Sequence, residues 1–184
     1  MGKSTTARLF AEEGIPVHDA DDAVHRLYRG KAVPLIEKAF PGTAEAGVVN
    51  RAKLAENLAK NPDKFRVLEA LIHPLVRVEE AEFLSLQKDA GADIVLLDIP
   101  LLFETGAEAR VDKIVVVSCD PALQRERVLA RPGMTQEKFE MILARQTPDA
   151  EKRRQADFVV DTGHGIEDAR RQVRKILAVL RAPE

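Results

Sequence analysis

The chain has 184 residues, of which 45% are hydrophobic and 32% charged, a composition typical of a globular enzyme domain with a sizeable core. Its 28 basic and 30 acidic residues give a formal charge of −2, which argues against a general nucleic-acid binder. The single cysteine, Cys119, excludes an internal disulfide. No apolar run of transmembrane length and no signal peptide is found, so we expect a cytoplasmic protein that does not bind membranes.

The opening residues Gly2-Lys3-Ser4 match the last part of the phosphate-binding loop G-x-x-x-x-G-K-[ST]. In that loop the lysine contacts the β- and γ-phosphates, the hydroxyl binds Mg²⁺, and the following helix presents amides to the anion. Apolar residues in 4–13 and the stop at Gly14 predict a short helix, followed by an extended segment. Loop, helix and strand therefore occur in the order that a nucleoside triphosphate site requires.

Strand-like and helix-like stretches alternate along the chain, which favours a parallel sheet covered by helices on both faces. Strands are predicted at 15–18, 94–97, 113–117 and 158–160, and helices at 20–28, 34–40, 51–59, 63–72, 74–88, 121–130, 135–145 and 166–180. The second and third strands are continuous apolar runs, as in strands buried on both sides. The stretch between the first two strands is predicted to be purely helical, so we expect a helical substrate-binding subdomain there.

Acidic residues cluster directly after the first predicted strand, in Asp19-Ala20-Asp21-Asp22. The carboxyl ends of strands in an open α/β sheet face the ligand crevice, so Asp19 and Asp21 are candidates to meet a substrate hydroxyl and a nearby metal opposite the Gly-Lys-Ser loop. The alternative is helix capping, which we prefer for Asp22.

Further candidate residues lie at or near the ends of predicted strands and helices. Asp98 closes an apolar strand, where it could hold the water shell of Mg²⁺ or cap the next turn. His73-Pro74 is predicted to separate two helices, because proline favours a first helical position. Arg77, one turn further on, could bind a phosphate.

A basic cluster surrounds the predicted hairpin at Arg131-Pro132-Gly133. Its members could neutralise a transferring phosphoryl group, although a solvated helix face explains at least half of them. They are Arg125, Arg127, Arg131, Arg145, Lys152, Arg153 and Arg154.

Five segments, taken in order, resemble the dephospho-CoA kinase family across essentially the whole chain. They are Gly2-Lys3-Ser4-Thr5, Val17-His18-Asp19-Ala20-Asp21, Ile72-His73-Pro74 with Arg77, Asp98-Ile99-Pro100-Leu101-Leu102-Phe103-Glu104, and Ala156-Asp157-Phe158-Val159-Val160-Asp161. The resemblance implies transfer of the ATP γ-phosphate to the ribose 3′-hydroxyl of dephospho-CoA, the last step of coenzyme A synthesis, with Mg²⁺. It also implies a P-loop NTPase-like α/β fold with a nucleotide-binding core at 1–30 and 91–184, a helical CoA-binding subdomain at 31–90 and a lid at about 125–154.

The same resemblance implies roles for particular residues. The expected nucleotide-binding residues are Gly2, Lys3, Ser4 and Thr5, with Ser4 also holding Mg²⁺. The expected catalytic residues are Asp21 as general base, Asp19 beside it, Lys3, and Arg131 from the lid. The expected acceptor-binding residues are His73, Arg77 and Asp98.

The front of the chain departs from the family pattern, in which a strand and a loop of the form G-x-x-G-x-G-K-S precede this point. We expect the chain to lack that strand and the first half of the loop, with Met1 an internal loop residue or the remnant of a shortened chain. Weak nucleotide binding is expected in this form.

Two alternatives stay open at this stage. A different small-molecule kinase of the same fold, such as a nucleoside monophosphate kinase, would share Gly-Lys-Ser and the arginine lid but would not need the Asp19/Asp21 pair together with His73-Pro74 and Arg77. An inactive nucleotide-binding or interaction module is favoured only by the missing front. The expected partner is a small molecule, and the chain is expected to be a monomer or weak homo-oligomer.

Overall fold

The computed structural model describes residues 2–182; Met1, which carries one prediction above, lies outside them. In chain order the elements are α1 (Lys3–Glu12), β1 (Val17–Asp19), α2 (Ala20–Leu27), α3 (Val33–Ala39), β2 (Ala44–Glu45), β3 (Val48–Val49), α4 (Arg51–Lys60), α5 (Phe65–Asp89), β4 (Leu96–Asp98), β5 (Val115–Ser118), α6 (Pro121–Leu129), α7 (Gln136–Ala144), α8 (Asp149–Gln155), β6 (Phe158–Asp161) and α9 (Ile166–Leu180). Short 3₁₀ turns at Pro62–Lys64 and Glu108–Arg110 complete the set for these residues.

The chain divides into two compact units. One comprises the residues up to Ile15 and those from Asp98 onward, and the other is Pro16–Leu97. Relative to the sequence-based boundaries, 16–30 and 91–97 therefore lie with the helical part. The tasks of the two units stay predictions.

The strands of residues 2–182 pair in twos. Strand β1 pairs with β4, β2 with β3, and β5 with β6 in parallel, with Val116 opposite Val159. Burial on both faces is incomplete, because Leu96 and Leu97 of β4 and Val115 and Val117 of β5 are only half-buried. The prediction of strands buried on both sides is wrong for β4 and for β5.

The helical unit is held together by one apolar core contributed by α2, α3, β3, α4 and α5. Its buried members are Leu27, Ala32, Ile36, Phe40, Val49, Leu54, Leu58 and Ile72. The unit is not purely helical, contrary to our prediction, because β2 and β3 form an antiparallel hairpin. Ala46 and Gly47 at its tip have positive φ angles of 49° and 77°, as a two-residue hairpin turn requires.

Helix α5 runs through Pro74 without interruption, so the predicted helix junction at His73-Pro74 is wrong. A proline inside a helix has no N–H group to donate to the preceding turn, and it destabilises the helix by about 3 kcal/mol. An apolar stripe packs on or beside the core on both sides of the proline: Leu68, Leu71, Ile72, Leu75 and Val76. Burying such a side chain stabilises by about 1.5–3 kcal/mol, so the stripe as a whole outweighs the proline.

In the other unit, α9 packs on both β6 and α1. Its inner face buries Ala169, Val173, Ile176 and Leu177, as its sequence periodicity predicts. Two ion pairs tie it to the C-terminal end of α1, with Arg170 to Glu12 at 2.6 Å and Arg174 to Glu13, the residue after the helix, at 2.7 Å. The end of α1 away from Lys3 is thereby held against α9.

Candidate active site

Gly2 precedes the first residue of α1 and has a φ angle of 131°, a region that L side chains rarely adopt. A Cβ atom at this position would lie 3.1 Å from Cγ2 of Thr162. The backbone conformation therefore favours glycine, and a side chain at this position would also displace that of Thr162. Among residues 2–182 no side chain caps α1, so the amides of its first turn are available to an anion. Ser4 and Thr5 are exposed on that turn.

The ammonium group of Lys3 donates a hydrogen bond to Oδ1 of Asp98. The Asp98 side chain is 3% exposed and that of Lys3 40% exposed, so the carboxylate is buried while the lysine reaches solvent. Within residues 2–182, the second oxygen of Asp98, Oδ2, is buried and has no hydrogen-bond partner. The structure thus brings Asp98 to the lysine of the phosphate loop, and acceptor binding by Asp98 stays a prediction.

Asp19 ends β1 and caps α2. Its Oδ1 accepts hydrogen bonds from the amides of Asp21 at 2.8 Å and Asp22 at 3.2 Å. Asp19 is therefore the N-cap of α2, and Asp22 lies in the first turn, where free amides and the helix dipole favour a carboxylate, as the structural alternative for Asp22 predicts. The side chain of Asp21 is exposed in the first turn of α2, and its role as base stays a prediction.

His73 and Arg77 lie one turn apart on α5, and both are exposed. At about 100° of rotation per residue, His73 and Arg77 lie on a different side of α5 from Glu79, Phe83 and Leu86. That other side, together with β1 and α2, lines an open cleft of about 460 Å³. The lining residues are Val17, His18, Asp19, Asp22, Arg26, Glu79, Glu82, Phe83 and Leu86.

The cleft was missed by the sequence analysis, although spacing along α5 could have indicated it. His18 is 5% exposed and its ring lies 5.3 Å from that of Phe83. Arg26 and Glu79 form an ion pair of 2.9 Å at the same place. The wall combines an apolar surface with carboxylates, which suits a neutral group that donates hydrogen bonds and disfavours a phosphate.

Arg131 stands at the turn between α6 and α7, as predicted. The amide of Met134 donates to the carbonyl of Arg131 at 3.1 Å, and Gly133 has a φ angle of 73°. Proline and glycine occupy the two central positions that a type II turn favours. The Arg131 side chain is exposed.

Of the remaining basic residues of this cluster, Arg125 lies over the ring of Phe139 at 6.0 Å, and Arg127 and Lys152 have polar partners in the unit that contains Gly2. Arg127 donates to the carbonyl of Thr162 at 3.1 Å, next to the Gly2 contact. Lys152 forms an ion pair of 2.8 Å with Glu104, and their side chains are only 18% and 13% exposed. Burial by itself would raise the pKa of Glu104, but hydrogen bonds from Lys152 and the Thr147 amide hold that pKa below its ordinary value.

A sequence profile of the family described as dephospho-CoA kinase matches residues 1–168. A dephospho-CoA kinase of Agrobacterium fabrum is 64% identical over 182 residues, which cover 99% of this chain and 94% of the relative. The chain belongs to the dephospho-CoA kinase family. A further member, from Rhizobium etli, is 61% identical over 98% of this chain and 89% of its own length.

Solved structures agree with this membership of the dephospho-CoA kinase family. A crystal structure of a Thermus thermophilus protein matches with a TM-score of 0.82 and 34% identity, covering 98% of this chain and 93% of that one. Dephospho-CoA kinase from Campylobacter jejuni matches with a TM-score of 0.72 and 25% identity, covering 96% and 90%. The predicted α/β fold class is confirmed. In residues 2–182, no helix is both long and apolar enough to span a bilayer.

Proposed function

We propose that this chain transfers the γ-phosphoryl group of ATP to the ribose 3′-hydroxyl of dephospho-CoA, which yields ADP and coenzyme A. The observation that carries the proposal is the ion pair between Lys3 and the buried Asp98, at the uncapped start of α1, in a chain of this family. A fixed lysine beside free helix amides is suited to the β- and γ-phosphates.

On the donor side, Gly2, Lys3, Ser4 and Thr5 bind the phosphates in this proposal. Lys3 stabilises the charge that spreads over the oxygens of the transferred group, and Arg131 adds a planar cation from the turn of the lid. Arg127 borders the same end of the unit through its hydrogen bond to Thr162.

Mg²⁺ is implied by the family, and the residues present fit it. No group of three or more His, Cys, Asp or Glu side chains within residues 2–182 could hold a metal by itself. Magnesium in kinases is bound chiefly by phosphates and water, with few protein ligands. The Ser4 hydroxyl and the unpartnered Oδ2 of Asp98 would complete its shell. When bound, Mg²⁺ neutralises charge on the phosphates.

On the acceptor side, Asp21 takes the proton from the 3′-hydroxyl. The hydroxyl oxygen attacks the γ-phosphorus, and the bond between the γ-phosphorus and the oxygen that leaves with ADP breaks. The exposed carboxylate of Asp21 is free, whereas one oxygen of Asp19 is engaged in capping α2. The adjoining cleft is suited to the neutral nucleoside portion of the acceptor, and Arg77 to an anionic group.

The experiment is a coupled assay of ADP formation with ATP and dephospho-CoA, with the product identified by mass spectrometry. We expect ADP and coenzyme A in equal amounts. ADP formation with AMP, CMP or UMP in place of dephospho-CoA would identify the chain as a nucleoside monophosphate kinase. Absence of ADP with every acceptor would support a binding module instead.

A further inference from the structure

Helix α8 is anchored at two points by side-chain contacts within the unit that contains Lys3. At its first residue, Asp149 accepts hydrogen bonds from the hydroxyl of Ser118 at 2.8 and 3.0 Å. One turn later, Lys152 forms the 2.8 Å ion pair with Glu104. The amide of Thr147, just before α8, donates to the same Glu104 oxygen at 2.8 Å.

Each of the two anchors is connected to the phosphate loop, one through further contacts and the other through the chain itself. The carbonyl of Ser118 accepts from the amide of Thr162 at 2.9 Å, and Thr162 lies against Gly2. Glu104 belongs to the segment that leaves Asp98, and Asp98 accepts a hydrogen bond from Lys3. Contacts therefore run from Gly2 through Thr162, Ser118 and α8 to Glu104, and the chain segment between Glu104 and Asp98 completes the path to Lys3.

We propose that Glu104 and Lys152 are positioning residues, whose ion pair holds α8 against the segment following Asp98 and thereby fixes Lys3 for phosphate binding. Neither residue touches the reacting atoms in this arrangement, because the two charges pair with each other. The inference rests on the proposed function for its kinetic readout only.

The burial of this pair distinguishes it from an ordinary surface ion pair. Exposed pairs contribute little and tolerate the loss of either partner. Here both side chains are largely buried, and Oε2 of Glu104 is buried without a partner among the described residues. Removing Lys152 would leave a buried carboxylate with backbone amide donors but no cation, which favours displacement of the segment.

The test compares Glu104→Gln, Lys152→Met and Lys152→Arg with the unchanged chain. Hydrogen exchange without any substrate is the first readout. We expect about tenfold faster exchange, confined to 99–106 and the Thr6 amide of α1, which donates to the carbonyl of Gly2, in the Gln and Met variants. In steady-state kinetics the same two should raise the KM for ATP about tenfold, with the KM for dephospho-CoA unchanged. Lys152→Arg should restore both.

Lys113→Met is the matched control, because it breaks an exposed ion pair of 3.0 Å with Asp157 in the same unit. It should change neither readout. Asp149→Ala, an exposed position at the other anchor, tests the inference if a buried variant fails to fold, and should accelerate exchange at the Thr6 amide of α1.

Three results would overturn the inference. Exchange that rises uniformly along the chain would make the pair a general stabiliser. A damaging Lys152→Met beside a silent Glu104→Gln would mean that Lys152 contacts substrate directly. Unchanged local exchange in all variants would contradict the coupling between the Glu104–Lys152 ion pair and the phosphate loop. Because exchange is measured without acceptor, failure of the unchanged chain to phosphorylate dephospho-CoA contradicts the proposed function alone.

Discussion

Lys3 and Asp98 are 95 positions apart in the sequence, yet the lysine ammonium donates to Oδ1 of that aspartate. The carboxylate is 3% exposed and would be costly to bury without a cation. The lysine assigned to phosphate binding is therefore also part of the fold, and its two tasks can be separated by mutation.

Lys3→Met should lower the free energy of unfolding by about 1–3 kcal/mol, because it leaves a buried carboxylate unpaired. The double variant Lys3→Met/Asp98→Asn should recover most of that loss in urea unfolding, while ATP binding measured by calorimetry stays lost. Full additivity of the two single changes would contradict the coupling.

Asp21→Asn should reduce kcat by roughly 100-fold or more with little change in substrate affinity, because it removes the proposed base. Stopped-time assays of ADP formation measure this. Asp63→Asn, an exposed carboxylate in the 3₁₀ turn of the same unit, is the matched control and should keep full turnover. Near-normal turnover of Asp21→Asn would rule out its role as base.

Arg77→Ala should weaken binding of dephospho-CoA by about tenfold, because a guanidinium to an anionic group is lost, and leave ATP binding unchanged. Calorimetry with each ligand separately checks this. Arg66→Ala, an exposed arginine nearer the start of α5, serves as the control. A fall in ATP affinity with Arg77→Ala would place this residue at the donor site.

Arg131→Lys should restore only part of the activity lost in Arg131→Ala, because a point charge does not replace a planar fork on phosphate oxygens. The comparison is made by kcat at saturating ATP. Arg29→Lys, at an exposed position in the helical unit, is the control for replacing an arginine with a lysine. Full activity of Arg131→Lys and Arg131→Ala alike would make Arg131 a solvated surface residue.

Pro74→Ala should stabilise the chain by about 1–3 kcal/mol, because the new amide can join the helix that already surrounds it. For a chain of this size that is roughly 2–4 °C in Tm per kcal/mol. Pro34→Ala is the control, since proline near the start of α3 is favourable and its loss should bring no gain. A lower Tm for Pro74→Ala would show that the packing of α5 depends on the proline.

The local sequence was sufficient to predict most of the helices and strands and the phosphate loop before α1. Periodicity predicted α9 at its observed bounds, and proline followed by glycine predicted the turn at Arg131. These features depend on neighbours within a few residues, whose spacing and backbone preferences are visible in the chain itself. The dephospho-CoA kinase resemblance was likewise carried by short segments, and the family match confirmed it.

Only the tertiary structure decided which distant groups meet. No local pattern pairs Lys3 with Asp98 or Lys152 with Glu104, because partner choice depends on how the segments between them pack. The continuous α5 has the same origin: the local preference of Pro74 favours a helix end, and burial of apolar side chains on both sides of it outweighs that preference. Sequence order specified the local conformations, whereas burial, which sums over residues far apart in the chain, decided the contacts.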